Sequence, residues 1–255
     1  MATQRGDDMT KWVAGTVTGL RYWTDQLLSL RVEAPVDPFR AGQFTRIALD
    51  IGEERVARPY SYVNAPEERP LEFYFITVPG GPLTARLAAL EPGAGIWISP
   101  RPSGMLTLAE VPESDHLWLL STGTAIGPFL SILRTAEPWR RFSRVVLVHA
   151  VRSAVELAYQ DLIAGVARDR AGQFAYVPFV SREDTGFAIR GRIPEAIGDG
   201  RLEQRAGLTI GAGHSQVMVC GNPAMVEDTL AVLEARGLRR NKRKQPGQIS
   251  VETYW

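Results

Sequence analysis

Residues 58–62 read Arg-Pro-Tyr-Ser-Tyr and set a guanidinium, two aromatic rings and a hydroxyl along one extended stretch. Alternation along a strand puts Arg58, Tyr60 and Tyr62 on one side and Ser61 on the other. A planar, phosphorylated cofactor needs such parts: an arginine for phosphate, a ring to stack on, a hydroxyl for a polar ring edge. The same residues also suit an ordinary strand with core tyrosines. A second stretch, residues 116–133, joins an apolar run at 117–120 to a small glycine-containing turn at 121–127 and then to Pro128. That order predicts a buried strand, a turn and the first position of a helix. Such a junction presents backbone N–H groups and the positive end of a dipole to an anion. Gly123 and Gly127 are separated by Thr124-Ala125-Ile126, so this is not the G-x-G-x-x-G fingerprint, and a plain strand–helix connection fits it too. Cys220 closes a further apolar run, 216–220, where a doubly wound sheet places ligands. A lone cysteine is usually a small core residue, and nothing local points to a reactive thiolate.

The elements that must carry these residues fall into two textures. Strands are expected at 12–22 and 26–33, joined by a turn at Thr24-Asp25, and at 43–49, 71–78 and 96–99, with a helix only at 83–90. Short, closely spaced strands predict an antiparallel β-barrel or sandwich. Beyond Val111 the pattern alternates: strand 117–120, helix 128–136, strand 144–150, helix 154–168, strands 174–180 and 216–220, helix 224–236. That is the pattern of an α/β doubly wound parallel sheet. The boundary is expected near residues 108–112, giving domains at 1–110 and 111–255. Residues 247–255 alternate again and predict a closing strand.

A chain of 255 residues has room for two medium domains with packed cores. Its formal charge of +1 argues against a general attraction to nucleic acid or membrane. One cysteine excludes an intramolecular disulfide and a multi-cysteine metal or iron–sulfur centre, so no metal site is expected and a redox cofactor must be held without thiolates. The polar first ten residues lack the apolar core of a signal peptide, and no run approaches the roughly 20 apolar residues that span a bilayer. A soluble cytoplasmic protein is the expectation.

Arg58-Pro59-Tyr60-Ser61-Tyr62 in a β-rich half, Gly123-Thr124-Ala125-Ile126-Gly127-Pro128 opening an α/β half, Cys220-Gly221-Asn222-Pro223 near its end and a terminal Val251-Glu252-Thr253-Tyr254-Trp255 occur in that order across almost the whole chain. In these motifs the chain resembles the bacterial ferredoxin/flavodoxin–NADP reductases. The resemblance implies an FAD-binding barrel in which Tyr60 packs on the flavin, Arg58 neutralises the pyrophosphate, and Pro59 and Ser61 adjoin them, Ser61 beside flavin N5. Tyr74 and Thr77 border the ring in this reading. Pro82, Leu83 and Thr84, where the family often has Ser at the last position, bring the second phosphate contact. Thr122 and Gly123 meet the nicotinamide dinucleotide, and Thr124 reaches the flavin side.

NADPH rather than NADH is argued by arginines that follow the strands of the second half. Arg152 follows one strand, Ser181-Arg182 the next, and Arg192 lies in Gly-Arg-Ile-Pro with Arg190 as a rival for the same contact. The 2′-phosphate offers charge and acceptor oxygens suited to the arginine fork. Resemblance further places Cys220 against the nicotinamide, Tyr254 on the isoalloxazine and Glu252 where it tunes or relays protons; Asn222 and Asp228, on the loop and helix after Cys220, are expected near the ribose or adenine, and the extra Trp255 on the adenine. The basic cluster at 239–244 suits docking of an acidic carrier, ferredoxin or flavodoxin, and equally a solvated helix end. The implied protein is a monomeric FAD- and NADP(H)-dependent enzyme. Its rivals are an NADH-dependent reductase of an oxygenase system and a non-catalytic flavin-binding redox sensor.

Overall fold

The computed structural model describes residues 12–254. Its first half is an antiparallel sheet of β1 (Val13–Tyr22), β2 (Leu27–Glu33), β3 (Phe44–Ile51), β4 (Glu54–Ser61), β5 (Leu71–Ile76) and β6 (Gly95–Ile98), in the order β4-β3-β6-β1-β2-β5. The outer strands meet where Tyr62 bridges Phe73 and the Val63 N–H donates to the Glu72 carbonyl at 2.9 Å, which closes the sheet as a barrel. Closure removes the exposed edges that an open sheet would leave unpaired. Period-two alternation sends Leu28, Leu30, Val32, Phe73 and Phe75 into the barrel core together with Tyr60 and Tyr62. The expected turn at Thr24-Asp25 is present, with Thr24 Oγ1 accepting from the Leu27 N–H at 3.0 Å. Helix α1 (Thr84–Ala88) plugs the barrel with Leu87.

The second half is a parallel sheet of β7 (His116–Thr122), β8 (Arg144–Val151), β9 (Phe174–Val180), β10 (Ile189–Arg190), β11 (Ser215–Gly221) and β12 (Ile249–Thr253), ordered β10-β9-β8-β7-β11-β12. Helices α2 (Gly127–Leu133), α3 (Glu137–Arg141), α4 (Gln160–Asp169), α5 (Ile193–Gly198), α6 (Arg201–Ala206) and α7 (Pro223–Ala235) accompany it. A parallel strand covered on both faces must be apolar throughout, and β7 shows it: Leu117 and Leu119 enter one core layer, Trp118 and Leu120 the other. The first of these layers also takes in Leu27, Val63 and Tyr74 of the barrel, so the two halves share a core.

The helix expected at 128–136 is α2, which ends early at Leu133; α3, with Pro138 in its first turn, starts anew at Glu137 beyond the expected span. The helix expected at 154–168 is broken as well: a 3-10 turn at Ala154–Glu156 precedes α4, and Tyr159 between them adopts φ 60°. Tertiary contacts override local propensity there. The turned-out Tyr159 is buried against the barrel, its hydroxyl donating to Glu72 Oε1 at 2.9 Å and sharing a hydrogen bond with Ser29 Oγ. Trp23 Nε1 donates to the same Ser29 oxygen at 2.7 Å, and Ser131 Oγ of α2 donates to the Asn64 carbonyl at 2.7 Å. The Tyr159 and Ser131 contacts set one half against the other, and the Trp23 bond holds Ser29 in place for them.

Candidate functional site

The site forms where β4 of the barrel meets the carboxyl ends of β7, β11 and β12. Ser61 closes β4 opposite Phe44 and is buried. From the other half, Tyr254 follows β12; its N–H donates to the Gly221 carbonyl at 2.8 Å, and its hydroxyl donates to Ser61 Oγ. The tail therefore does close the parallel sheet, and it returns to the barrel motif. Burial pushes the Tyr254 phenol well above its ordinary range, so it is a neutral donor.

Register brings the other residues in. On β11, Cys220 lies opposite Ser121 of β7 on one side and opposite Glu252 of β12 on the other. Burial, reinforced by the Glu252 charge, raises the Cys220 thiol far above a reactive range. Glu252 Oε1 is buried with no partner among the described residues, and desolvation raises its carboxyl to about 7. The loop at Gly104 passes over this group. With φ 103°, and with Phe44 3.0 Å and Glu252 Oε2 3.3 Å from where a Cβ would lie, only glycine fits. Gly221 is equally constrained, because a Cβ there would overlap Thr122 Oγ1, which accepts the Asn222 N–H at 3.2 Å.

Around this centre the barrel residues divide. Tyr60 lies edge-on to Phe75 with ring centroids 6.0 Å apart, and its buried hydroxyl has no partner among the described residues; burial raises it to about 12. Tyr62, on the same side of the strand, is a core residue stacked on Phe39 at 3.8 Å. Arg58 and Pro59 are exposed on β4. Tyr74 enters the shared core, its ring 5.3 Å from Tyr159 and its buried hydroxyl again without a described partner. Leu83 sends its side chain into the barrel core. Thr84 Oγ1 accepts the Val78 N–H at 2.9 Å, which shapes the loop that also holds Pro82, and the Thr77 N–H donates to the Gln26 carbonyl at 2.8 Å.

On the nucleotide side, Thr122, Gly123 and Thr124 stand at the end of β7, the last two within a 3-10 turn, Gly123–Ile126, that runs into α2. Arg152 and Arg182 follow the neighbouring strands β8 and β9 and touch through the backbone, the Arg182 N–H donating to the Arg152 carbonyl at 2.9 Å. Ser181 donates its N–H to the Val151 carbonyl at 3.0 Å, and Arg190 of β10 pairs with Val180. Arg192 begins α5 two residues later. All four arginines are exposed along one sheet edge, and none forms an ion pair among the described residues. Two expected contacts are less central. Asn222 Oδ1 accepts the Ala224 N–H at 3.0 Å as the N-cap of α7, and Asp228 is exposed beyond the first turn of that helix. Trp255 lies outside the described residues. Sequence reading passed over His149 and Gly104. The signal for His149 was an imidazole within the apolar run 145–150.

A closed antiparallel barrel docked on a parallel nucleotide-type sheet, with a site made at their join, defines the two-domain class of barrel-plus-nucleotide-sheet reductases. The family model for an oxidoreductase NAD-binding domain matches residues 119–230. The chain is 47% identical over 248 residues to the flavodoxin/ferredoxin–NADP reductase of Escherichia coli (strain K12), covering 97% of this chain and 100% of that one. It is 36% identical to the ferredoxin–NADP reductase of Pseudomonas aeruginosa over 92% of this chain and 95% of the other. A crystal structure of a ferredoxin NADP+ reductase from Neisseria gonorrhoeae with bound FAD and NADP superposes with TM-score 0.92 at 30% identity, covering 96% and 99% of the two chains. The chain belongs to the flavodoxin/ferredoxin–NADP reductase family.

Proposed function

We propose that this chain passes reducing equivalents between NADPH and ferredoxin or flavodoxin through a bound FAD. One observation carries the reading: Tyr254 at the end of the nucleotide sheet hydrogen-bonds Ser61 of the barrel motif, so both halves supply one site. The residues fit a flavin. Tyr60 Oη, Tyr74 Oη and Glu252 Oε1 are buried and unpartnered among the described residues, which is costly unless a polar ligand meets them. When bound, FAD exchanges a hydride with the nicotinamide and passes single electrons to a carrier.

The chain's own groups then have distinct tasks. Tyr60 and Tyr254 would pack against the ring system, with Tyr74, Thr77 and Thr124 bordering it. Arg58, Pro59 and the loop of Pro82, Leu83 and Thr84 would hold the diphosphate, and Trp255 the adenine. Ser61 accepts from Tyr254 and so keeps its own O–H for a polar ring edge. Glu252, at about 7, can hold or release a proton near neutral pH. Cys220 stays a neutral, packed thiol beside the nicotinamide. Thr122 and Gly123 would meet the dinucleotide, Asn222 and Asp228 its ribose or adenine end. Arg152, Ser181, Arg182 and Arg192 would bind the 2′-phosphate, with Arg190 beside Arg192 on the same edge.

We place the domain join at residue 110, giving 1–110 for FAD and 111–255 for NADP. The last barrel strand ends at Ile98, the first parallel strand begins at His116, and a 3-10 turn, Leu108–Glu110, lies between them. The basic segment 239–244 is read as the carrier dock. Lys242 and Gln245 exchange N–H···O bonds at 3.0 and 2.8 Å, turning Arg243 and Lys244 outward, and Asn241 Nδ2 anchors the hairpin to the Glu110 carbonyl at 2.6 Å. An acidic carrier complements this surface. Among the described residues no helix is long and apolar enough to cross a membrane. We read the enzyme as a cytoplasmic monomer, consistent with its one buried, unpaired cysteine and checkable by sedimentation.

The test is anaerobic spectroscopy of the purified protein. A yellow protein bleached by NADPH far faster than by NADH, and reoxidised by flavodoxin or ferredoxin, is expected. Colourless protein that refuses added flavin overturns the reading. Equal bleaching by both nucleotides points to an NADH-type reductase, and no bleaching by either to a sensor.

A further inference from the structure

His149 is fully buried near the end of β8, flanked in register by Ser121 of β7 and Pro178 of β9. Its Nε2 lies 3.0 Å from the Gly123 carbonyl, and its Nδ1 has no partner among the described residues. Because Gly123 offers only an acceptor, Nε2 carries the proton and donates. An orphaned Nδ1 costs stability in a strand whose neighbours Val146, Leu147 and Val148 are all apolar and buried. A leucine would pack there without that cost but could not meet the Gly123 carbonyl, which is the one polar contact the ring makes among the described residues. Burial pushes its ionisation down to about 4, and it therefore acts as a neutral donor. Gly123 itself sits at φ 53° at the start of the 3-10 turn. A peptide unit is planar and trans, so a Gly123 carbonyl turned in to His149 turns the Thr124 N–H the opposite way.

We infer that His149 is a positioning residue for the nicotinamide end of the dinucleotide, holding the Gly123–Thr124 peptide so that its N–H faces the ligand. The inference rests on the assignment of Thr122 and Gly123 to the nucleotide in the proposed function. It needs no charge on the ring and no contact between His149 and the ligand.

The test uses FAD-loaded enzyme carrying His149→Leu or His149→Gln, with nitrogen-15 NMR on the wild type. The wild-type ring is expected as the neutral tautomer protonated on Nε2. His149→Leu should raise the NADP+ dissociation constant by calorimetry, and the KM for NADPH, about tenfold, the worth of one hydrogen bond. Turnover at saturation should stay within about twofold. Adenosine 2′-phosphate, which lacks the nicotinamide end, should bind unchanged. His149→Gln, whose amide can still donate, should recover most of the loss. The inference is overturned by a ring protonated on Nδ1, by unchanged NADP+ affinity in the leucine variant, or by equal losses for NADP+ and adenosine 2′-phosphate. Should the leucine variant not fold, the NMR tautomer and the glutamine variant's affinities still decide. A wild type that takes up no FAD, or ignores NADPH, condemns the proposed function instead.

Discussion

The join at Ser61 and the arginine edge beyond β8 and β9, which we propose serve one site, are held by opposite physics. At the join, Ser61 and Cys220 are buried, Tyr254 and Glu252 half-buried, and the titratable groups follow desolvation: phenol and thiol up, the carboxyl at about 7. At the edge, Arg152, Ser181, Arg182, Arg190 and Arg192 are exposed, and the arginines are free of ion pairs among the described residues. Buried groups in low dielectric are fixed in place and suited to chemistry that tolerates little displacement. Exposed guanidinium groups in water suit discrimination between ligands that differ in charge. On the proposed reading, the molecule separates where it reacts from where it chooses its nucleotide.

That contrast can be broken or sharpened by substitution. The largest effect is expected at the join. Ser61→Ala should lower the rate of flavin reduction by NADPH about a hundredfold while FAD stays bound, seen by stopped-flow absorbance; a rate within twofold of wild type would deny Ser61 a part in the chemistry. Arg182→Ala should weaken NADPH about tenfold and spare NADH, as expected for one charge-assisted hydrogen bond; equal losses would remove the edge from nucleotide choice. Tyr254→Ser opens the join, so nicotinamide affinity should rise several-fold and the preference for NADPH over NADH should loosen; unchanged binding of both would show that Tyr254 does not cover the flavin face. Reversing charge at Arg243 and Lys244 should slow reduction of flavodoxin or ferredoxin several-fold at low salt, leaving ferricyanide reduction untouched.

The smallest effect is on stability. Glu252 has its folded ionisation raised from 4.5 to about 7, so the folded state holds a proton that the unfolded state has lost between those values. Stability from this group is therefore present at low pH and is lost as pH rises toward 7. Glu252→Gln should melt like wild type near pH 5 and a few degrees higher at pH 8. His149 runs the other way. Its ionisation is depressed to about 4, so the stability it contributes is present above pH 6.5 and is lost as pH falls through 4.

Much of the architecture was legible because burial on both faces writes a continuous apolar run. The strand expected at residues 174–180 is β9 itself, and 144–150 and 216–220 differ from β8 and β11 only at their ends. The short elements β10, α5 and α6 carry no such run and were not anticipated, and β4 was seen only at its carboxyl end, residues 58–62. Arg152 and Arg182 could be set side by side from the sequence for a simpler reason: each follows an expected strand, and neighbouring parallel strands in register end on the same side of the sheet.

By itself the sequence determined the two textures, the order of motifs and the family, since periodicity and short motifs are local properties of the chain. Only tertiary structure decided that Tyr159 leaves the helical path to meet Ser29 and Glu72, that Tyr254 reaches Ser61, and that Glu252 is desolvated beneath Gly104. Each of these joins residues far apart in the chain. Their energies depend on dielectric and packing, which no local pattern encodes.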